Sequence, residues 1–145
     1  MGLCLYNSDV NKLDTPLFTF QVLDTLGAVA SRLEAALEPV GLSLAKFGVL
    51  ARLVAAGEPL PLSTLAERSA CVRSNITQLV DRLESDKLVV RVPDPRDRRL
   101  VRAALTSEGR ARHDAAARAL AEAENALPPD LRESLQRLAA ISGRC

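Results

Sequence analysis

A chain of 145 residues has room for one domain with its own core, and 48% apolar against 26% charged residues excludes a disordered chain. A net charge of +1 excludes an indiscriminate polycationic coat for nucleic acid, and one Tyr, three Phe and no Trp leave little for stacking on single strands. No run approaches the ~20 uninterrupted apolar residues of a membrane span, and the N-terminus lacks a basic region followed by an apolar block, so a cytoplasmic protein without a membrane partner is expected.

Residues Met1 to Thr15 show no period and read as an arm that orders on a partner. From Leu17 the residues Phe20, Leu23, Leu26, Val29 or Ala30, Leu33 and Leu37 share one stripe, with Asp24, Arg32, Glu34 and Glu38 opposite. This is a long amphipathic helix over about 17–39 that ends near Pro39-Val40-Gly41. Ser43 caps a second helix with Leu44, Phe47, Leu50 and Val54 on its apolar face and Gly57 as its stop. Glu58-Pro59-Leu60-Pro61 reads as a short connection. Ser63 and Thr64 then supply polar oxygens for the start of a short helix ahead of Leu65 and Ala66, and Ser69 to Val72 make a turn.

From Arg73 to Asp86 the residues Ile76, Leu79, Val80 and Leu83 recur at three- and four-residue spacing, which buries one face of a helix and presents the other. The presented face carries Arg73, Ser74, Asn75, Gln78 and Arg82, donors and acceptors suited to base edges and phosphates in a major groove. Thr77 can join them or turn toward the helix backbone. Two β-prone runs follow, Leu88 to Val90 and Leu100 to Leu105, joined by the turn-forming Pro93-Asp94-Pro95-Arg96-Asp97-Arg98-Arg99. A basic hairpin beside such a helix is a wing. Between Arg68 and Arg102 nine Lys or Arg stand against five Asp or Glu, a local net of +4, so the rest of the chain carries −3. Positive charge concentrated in this way is what a phosphate-tracking surface requires.

Thr106 or Ser107 caps a fifth helix with Glu108 in its first turn, Ala-rich through Ala126. Pro128-Pro129 breaks it, and a last helix from Asp130 to Ile141 carries Leu131, Leu135, Leu138 and Ile141 on one stripe. The stripes of the first and last helices need another surface, and a second subunit supplies it. A two-fold dimer sets two reading helices about one DNA turn, roughly 34 Å, apart, so a homodimer and a palindromic duplex imply each other. The fold class expected is mainly α with a small β-hairpin wing: one domain over 1–145, with a winged helix-turn-helix over 43–106 flanked by dimerisation helices over 17–39 and 107–141.

The succession Leu65-Ala66-Glu67, Val80-Asp81-Arg82-Leu83-Glu84, Pro93-Asp94-Pro95-Arg96-Asp97-Arg98-Arg99 and Leu105-Thr106-Ser107-Glu108-Gly109 closely resembles the MarR (multiple antibiotic resistance regulator) family. The resemblance covers about Leu17 to Ile141 in layout, with motif support from Leu62 to Gly109. It implies a homodimeric, double-stranded DNA-binding transcriptional regulator, usually a repressor, released by a small anionic or aromatic effector. The effector cleft would lie between the dimerisation helices and the winged-helix body. It also implies that Arg99 enters the minor groove, held by a salt bridge from Asp97. Arg96, Arg98 and Arg82 suit phosphates, while Ser63, Arg73, Ser74, Asn75, Thr77 and Gln78 complete the DNA-contacting set. Three positions depart from the family pattern: Val72 stands where a capping Ser is frequent, Ser69 where a core Leu is usual, and Lys87 where Gly ends the helix in a left-handed conformation.

Two other readings compete with regulation by an effector. In one, Cys4 is an oxidant-sensing thiol; no basic neighbour or helix start in Gly2-Leu3-Cys4-Leu5 lowers its pKa, and an inert thiol explains it as well. In the other, the winged helix is a protein-interaction module whose basic hairpin is merely solvated. Cys4, Cys71 and Cys145 are odd in number and far apart, so neither a disulfide framework nor, with one histidine, a zinc site is expected. His113 reads as a surface residue and Cys71 as core packing. No triad, phosphate loop or paired-carboxylate motif points to an enzyme, and no cofactor is expected.

Overall fold

The computed structural model describes residues 15–67 and 76–142. Among these residues the chain divides into two compact units, one ending at Arg32 and the other beginning at Leu33. The elements are α1 (Thr15–Leu37), a 3-10 turn (Glu38–Val40), α2 (Leu44–Ala56), β1 (Leu60–Pro61), α3 (Leu62–Glu67), α4 (Ile76–Ser85), β2 (Val89–Pro93), β3 (Val101–Leu105), α5 (Ser107–Asn125) and α6 (Pro129–Ser142). No single helix among the described residues is long and apolar enough to cross a membrane.

In the first unit α1 presents Leu17, Phe18, Phe20, Leu23 and Leu26, all exposed in this single chain. The continuation of α1 beyond residue 32 belongs to the second unit, where Leu37 is fully buried and Leu33 packs against the core. Ser43 caps α2 as expected, its Oγ accepting the Lys46 N–H at 3.2 Å, and Gly57 ends that helix with φ +67°. The deepest α2 side chains are Val49, Leu50 and Leu53, so the buried stripe lies one step round from the expected one, with Leu44 and Phe47 at its margin.

α4 follows its periodicity closely. Ile76, Leu79, Val80 and Leu83 are buried, while Thr77, Gln78, Asp81, Arg82 and Ser85 are exposed. Burying each such aliphatic side chain stabilises by about 1.5–3 kcal/mol, which seats the helix and leaves its opposite face to solvent. The helix ends in a Schellman arrangement: Leu88 N–H donates to Leu83 O at 2.9 Å and Lys87 N–H to Glu84 O at 2.9 Å. Lys87 occupies the left-handed position with φ +62°, where Gly is usual.

The sheet has three antiparallel strands in the order β1-β3-β2, one more than the hairpin expected. Residues 60 and 61, read as connection, pair with β3 in the register Leu60↔Ala103 and Pro61↔Arg102, and β2 pairs along the other side from Val89↔Leu105 to Pro93↔Val101. Val89 and Ala103 face the core. α5 is capped by Thr106, whose Oγ accepts the Gly109 N–H at 2.9 Å, and it buries Ala116 and Leu120. His113 is no free surface residue: its ring stacks on Phe47 at 5.3 Å between centroids, and its side chain is 14% exposed.

Candidate nucleic-acid interface

Asp94 organises the loop between β2 and β3. Its Oδ1 accepts the N–H groups of Arg96 at 2.7 Å and Asp97 at 3.2 Å, and its Oδ2 accepts from Arg102 Nε at 2.5 Å. Arg102 also donates from Nη1 to Pro59 O at 3.3 Å, which ties the hairpin to the segment before β1. Asp94 is 5% exposed, a burial that a carboxylate tolerates only with such partners. The hydrogen bond from Arg102, then that from the Arg96 backbone, holds its pKa below the ordinary aspartate value against the opposing effect of burial.

The next turn repeats the device. Asp97 Oδ1 accepts the Arg99 N–H at 3.0 Å, and Leu100 N–H closes on Asp97 O at 2.9 Å. The expected guanidinium salt bridge between Asp97 and Arg99 is therefore replaced by a carboxylate-to-backbone bond. The main-chain N–H two residues ahead is the nearest donor available to an aspartate in a tight turn. Asp97 shapes the loop and leaves the Arg99 guanidinium free. Arg96, Arg98 and Arg99 are all exposed on it.

The ion pairs around the wing account for most of its acidic charge. Lys46 meets Asp86 at 2.7 Å, Arg91 reaches both Asp81 and Glu84, and Arg102 meets Asp94. Burial alone would lower the Arg91 pKa, and the hydrogen bonds it donates to Asp81 and Glu84 outweigh it and raise it. Among the described residues of this stretch Arg82, Lys87, Arg96, Arg98 and Arg99 make no ion pair, so the local positive charge is carried by the α4 face, the turn that ends α4 and the hairpin tip.

Of the expected contact residues, Thr77, Gln78 and Arg82 lie on the exposed face of α4, and Arg96, Asp97, Arg98 and Arg99 on the wing. Ser63 is exposed within the first turn of α3, with Leu62 already helical, so it does not precede that helix as its capping residue. Arg73, Ser74, Asn75 and Cys4 lie outside the described residues, as do Ser69, Cys71, Val72 and Cys145. Asp94, Arg102 and Arg91 were absent from the expected set. The signal for Asp94 was its place in a Pro-Asp-Pro turn, and for the two arginines their positions on strands flanking that turn.

A short α3, an amphipathic α4 with a polar outer face, and a three-stranded sheet ending in a basic hairpin define a winged helix-turn-helix. Residues 40–100 match the profile of the MarR family. The HTH-type transcriptional repressor MdtR of Bacillus subtilis is 38% identical over 73 residues, 50% of this chain and 46% of that protein. The chain spans less than half the length of the curated relatives it matches. A MarR family transcriptional regulator from Rhodococcus sp. RHA1 superposes with a TM-score of 0.73 at 27% identity, covering 88% of this chain and 93% of that one. CouR from Rhodococcus jostii RHA1, solved bound to p-coumaroyl-CoA, superposes with a TM-score of 0.69 at 29% identity, covering 84% and 88%. Over residues 40–100 in sequence, and in its winged helix-turn-helix fold, the chain is similar to MarR family regulators.

Proposed function

We propose that this chain is a homodimeric transcriptional regulator, in its simplest form a repressor, that binds a palindromic DNA duplex. The observation that carries the reading is the set of arginines without ion pairs, Arg96, Arg98 and Arg99, on a loop braced by Asp94 and Asp97 beside the polar face of α4. Bracing matters because a rigid loop loses little entropy on binding and holds its cations at fixed positions. Arg99 enters the minor groove, Arg82, Arg96 and Arg98 meet phosphates, and Thr77 and Gln78 meet base edges, with Arg73, Ser74, Asn75 and Ser63 completing the contacts. Such a protein works in the cytoplasm, alongside its DNA.

The exposed apolar face of α1 gives the dimer its surface: Phe18 is 68%, Phe20 62% and Leu23 57% exposed in the single chain. Residues this apolar side by side are the mark of an interface. A small effector releases the DNA. MdtR is a repressor and CouR binds an acyl-CoA, which favours an anionic effector with an apolar portion. A recess of about 360 Å³ suits such a molecule, its lining including the apolar Leu53, Pro59 and Leu105 and the polar Ser107 and Arg110.

The test is duplex binding by Arg99→Ala. Loss of affinity by about tenfold with an unchanged melting temperature supports the reading, because a minor-groove cation contributes on the order of 1–3 kcal/mol without touching the core. An unaltered affinity would make the hairpin a solvated loop and favour a protein partner.

A further inference from the structure

Arg91 stands on β2 opposite Ala103, between the sheet and the recognition helix α4. One guanidinium nitrogen donates to Glu84 Oε2 and the other to Asp81 Oδ1, while the Arg91 backbone N–H donates to Glu84 Oε1 at 3.1 Å. Three bonds thus join one wing residue to two carboxylates three positions apart on α4. Along the chain a short Schellman turn through Lys87 and Leu88 connects that helix to β2, and beneath it Val80 and Leu83 share the core with Val89, so Arg91 supplies the polar link on the outer side. On the hairpin's far side, Asp94 and Arg102 fasten the wing to Pro59.

We infer that Arg91 is a positioning residue for DNA recognition: its fork locks the wing to the recognition helix, so that hairpin tip and helix face meet the duplex at one fixed separation. This rests on the DNA-binding function proposed above and deepens it. Arg91 does not contact DNA. Its guanidinium is spent on Asp81 and Glu84, which also covers two negative charges that would otherwise face phosphates beside Arg82 and Gln78.

Geometry and charge are separable at this site because lysine keeps the charge and loses the planar fork. Helix and hairpin read different grooves, so play between them degrades the match to a particular sequence more than the general attraction to phosphate. Sequence preference is measured by selection of the full chain against a random duplex library, then by affinity for the selected and a scrambled duplex. If the wild-type protein enriches no sequence, the proposed function fails and the inference with it.

If the wild type enriches a sequence, Arg91→Lys is expected to lower the ratio of selected to scrambled affinity by about tenfold, comparable with one mismatched base pair. Its affinity for the scrambled duplex should stay within about twofold, with an unchanged slope of log affinity against log salt. A wild-type ratio in Arg91→Lys would overturn the inference and leave Arg91 a charge neutraliser. A slope shallower by about one would also overturn it, because Arg91 would then touch a phosphate itself. If Arg91→Lys fails to fold, Glu84→Gln removes one arm of the clamp with an isosteric side chain and is held to the same ratio.

Discussion

Gly109 sits where helix propensity and packing predict opposite outcomes. A Cβ added there would lie 2.0 Å from Leu88 O and 2.9 Å from Leu105 Cδ1. Clearing the carbonyl requires the first turn of α5 to move from β2 by about 1 Å, since carbon and oxygen do not approach much closer than 3 Å. That movement pulls apart the Thr106 N–H to Leu88 O bond of 3.1 Å and the Thr106 Oγ bonds to Lys87 O and Leu88 O. The hydroxyl has a single hydrogen shared between its two carbonyls, so two bonds are lost at a cost of about 2 kcal/mol, and overpacking adds roughly 1–3 kcal/mol. Ala returns about 1 kcal/mol of propensity, so Gly109→Ala is expected to destabilise by about 2–4 kcal/mol. At fixed protein concentration this lowers the thermal midpoint by on the order of 10 °C. An unchanged or raised midpoint would refute the packing argument, for that is what propensity alone predicts.

Lys87→Gly acts in the other direction: its φ of +62° is strained for a residue with a Cβ, so the variant should gain about 0.5–1 kcal/mol in chemical denaturation. Asp94→Asn tests the loop's charged keystone. The Asp94 pKa is depressed in the folded chain, so its stabilisation is complete above the unfolded carboxylate value and is lost as pH falls through the folded one. The stability gap between wild type and Asp94→Asn should be present at pH 7 and shrink below about pH 4, followed by denaturation midpoints across that range. A gap independent of pH would mean that the carboxylate charge has no part in it. Leu23→Glu places a charge in the exposed apolar face of α1 and should halve the sedimenting mass and weaken duplex binding together; a monomeric wild type would remove the basis for this expectation.

What was legible in the sequence was whatever declares itself locally. The α4 stripe of Ile76, Leu79, Val80 and Leu83 is a one-helix pattern, and all four are buried. The caps at Ser43 and Thr106 and the left-handed Lys87 each depend on neighbours within a few residues. What was missed depends on distant partners. β1 is two residues long, too short for an alternating pattern, and its partner Ala103 lies far along the chain. Phe47 stacks on His113 across two helices that no local period connects. Asp94 looks like any turn aspartate until Arg102 is folded back across the hairpin, and Arg99 offers the Asp97 carboxylate both a side-chain and a backbone donor in the same tight turn. The wing was readable as a charge pattern, and its bracing was not, because bracing is a property of pairs.

The central claim, that this winged helix reads duplex DNA, is tested most directly by titrating the purified protein with the DNA flanking its own gene and with a scrambled duplex, at physiological salt. The expected result is a preference for the flanking duplex of at least about a thousandfold, weakening steeply as salt is raised. Equal and weak binding to both duplexes would contradict the account.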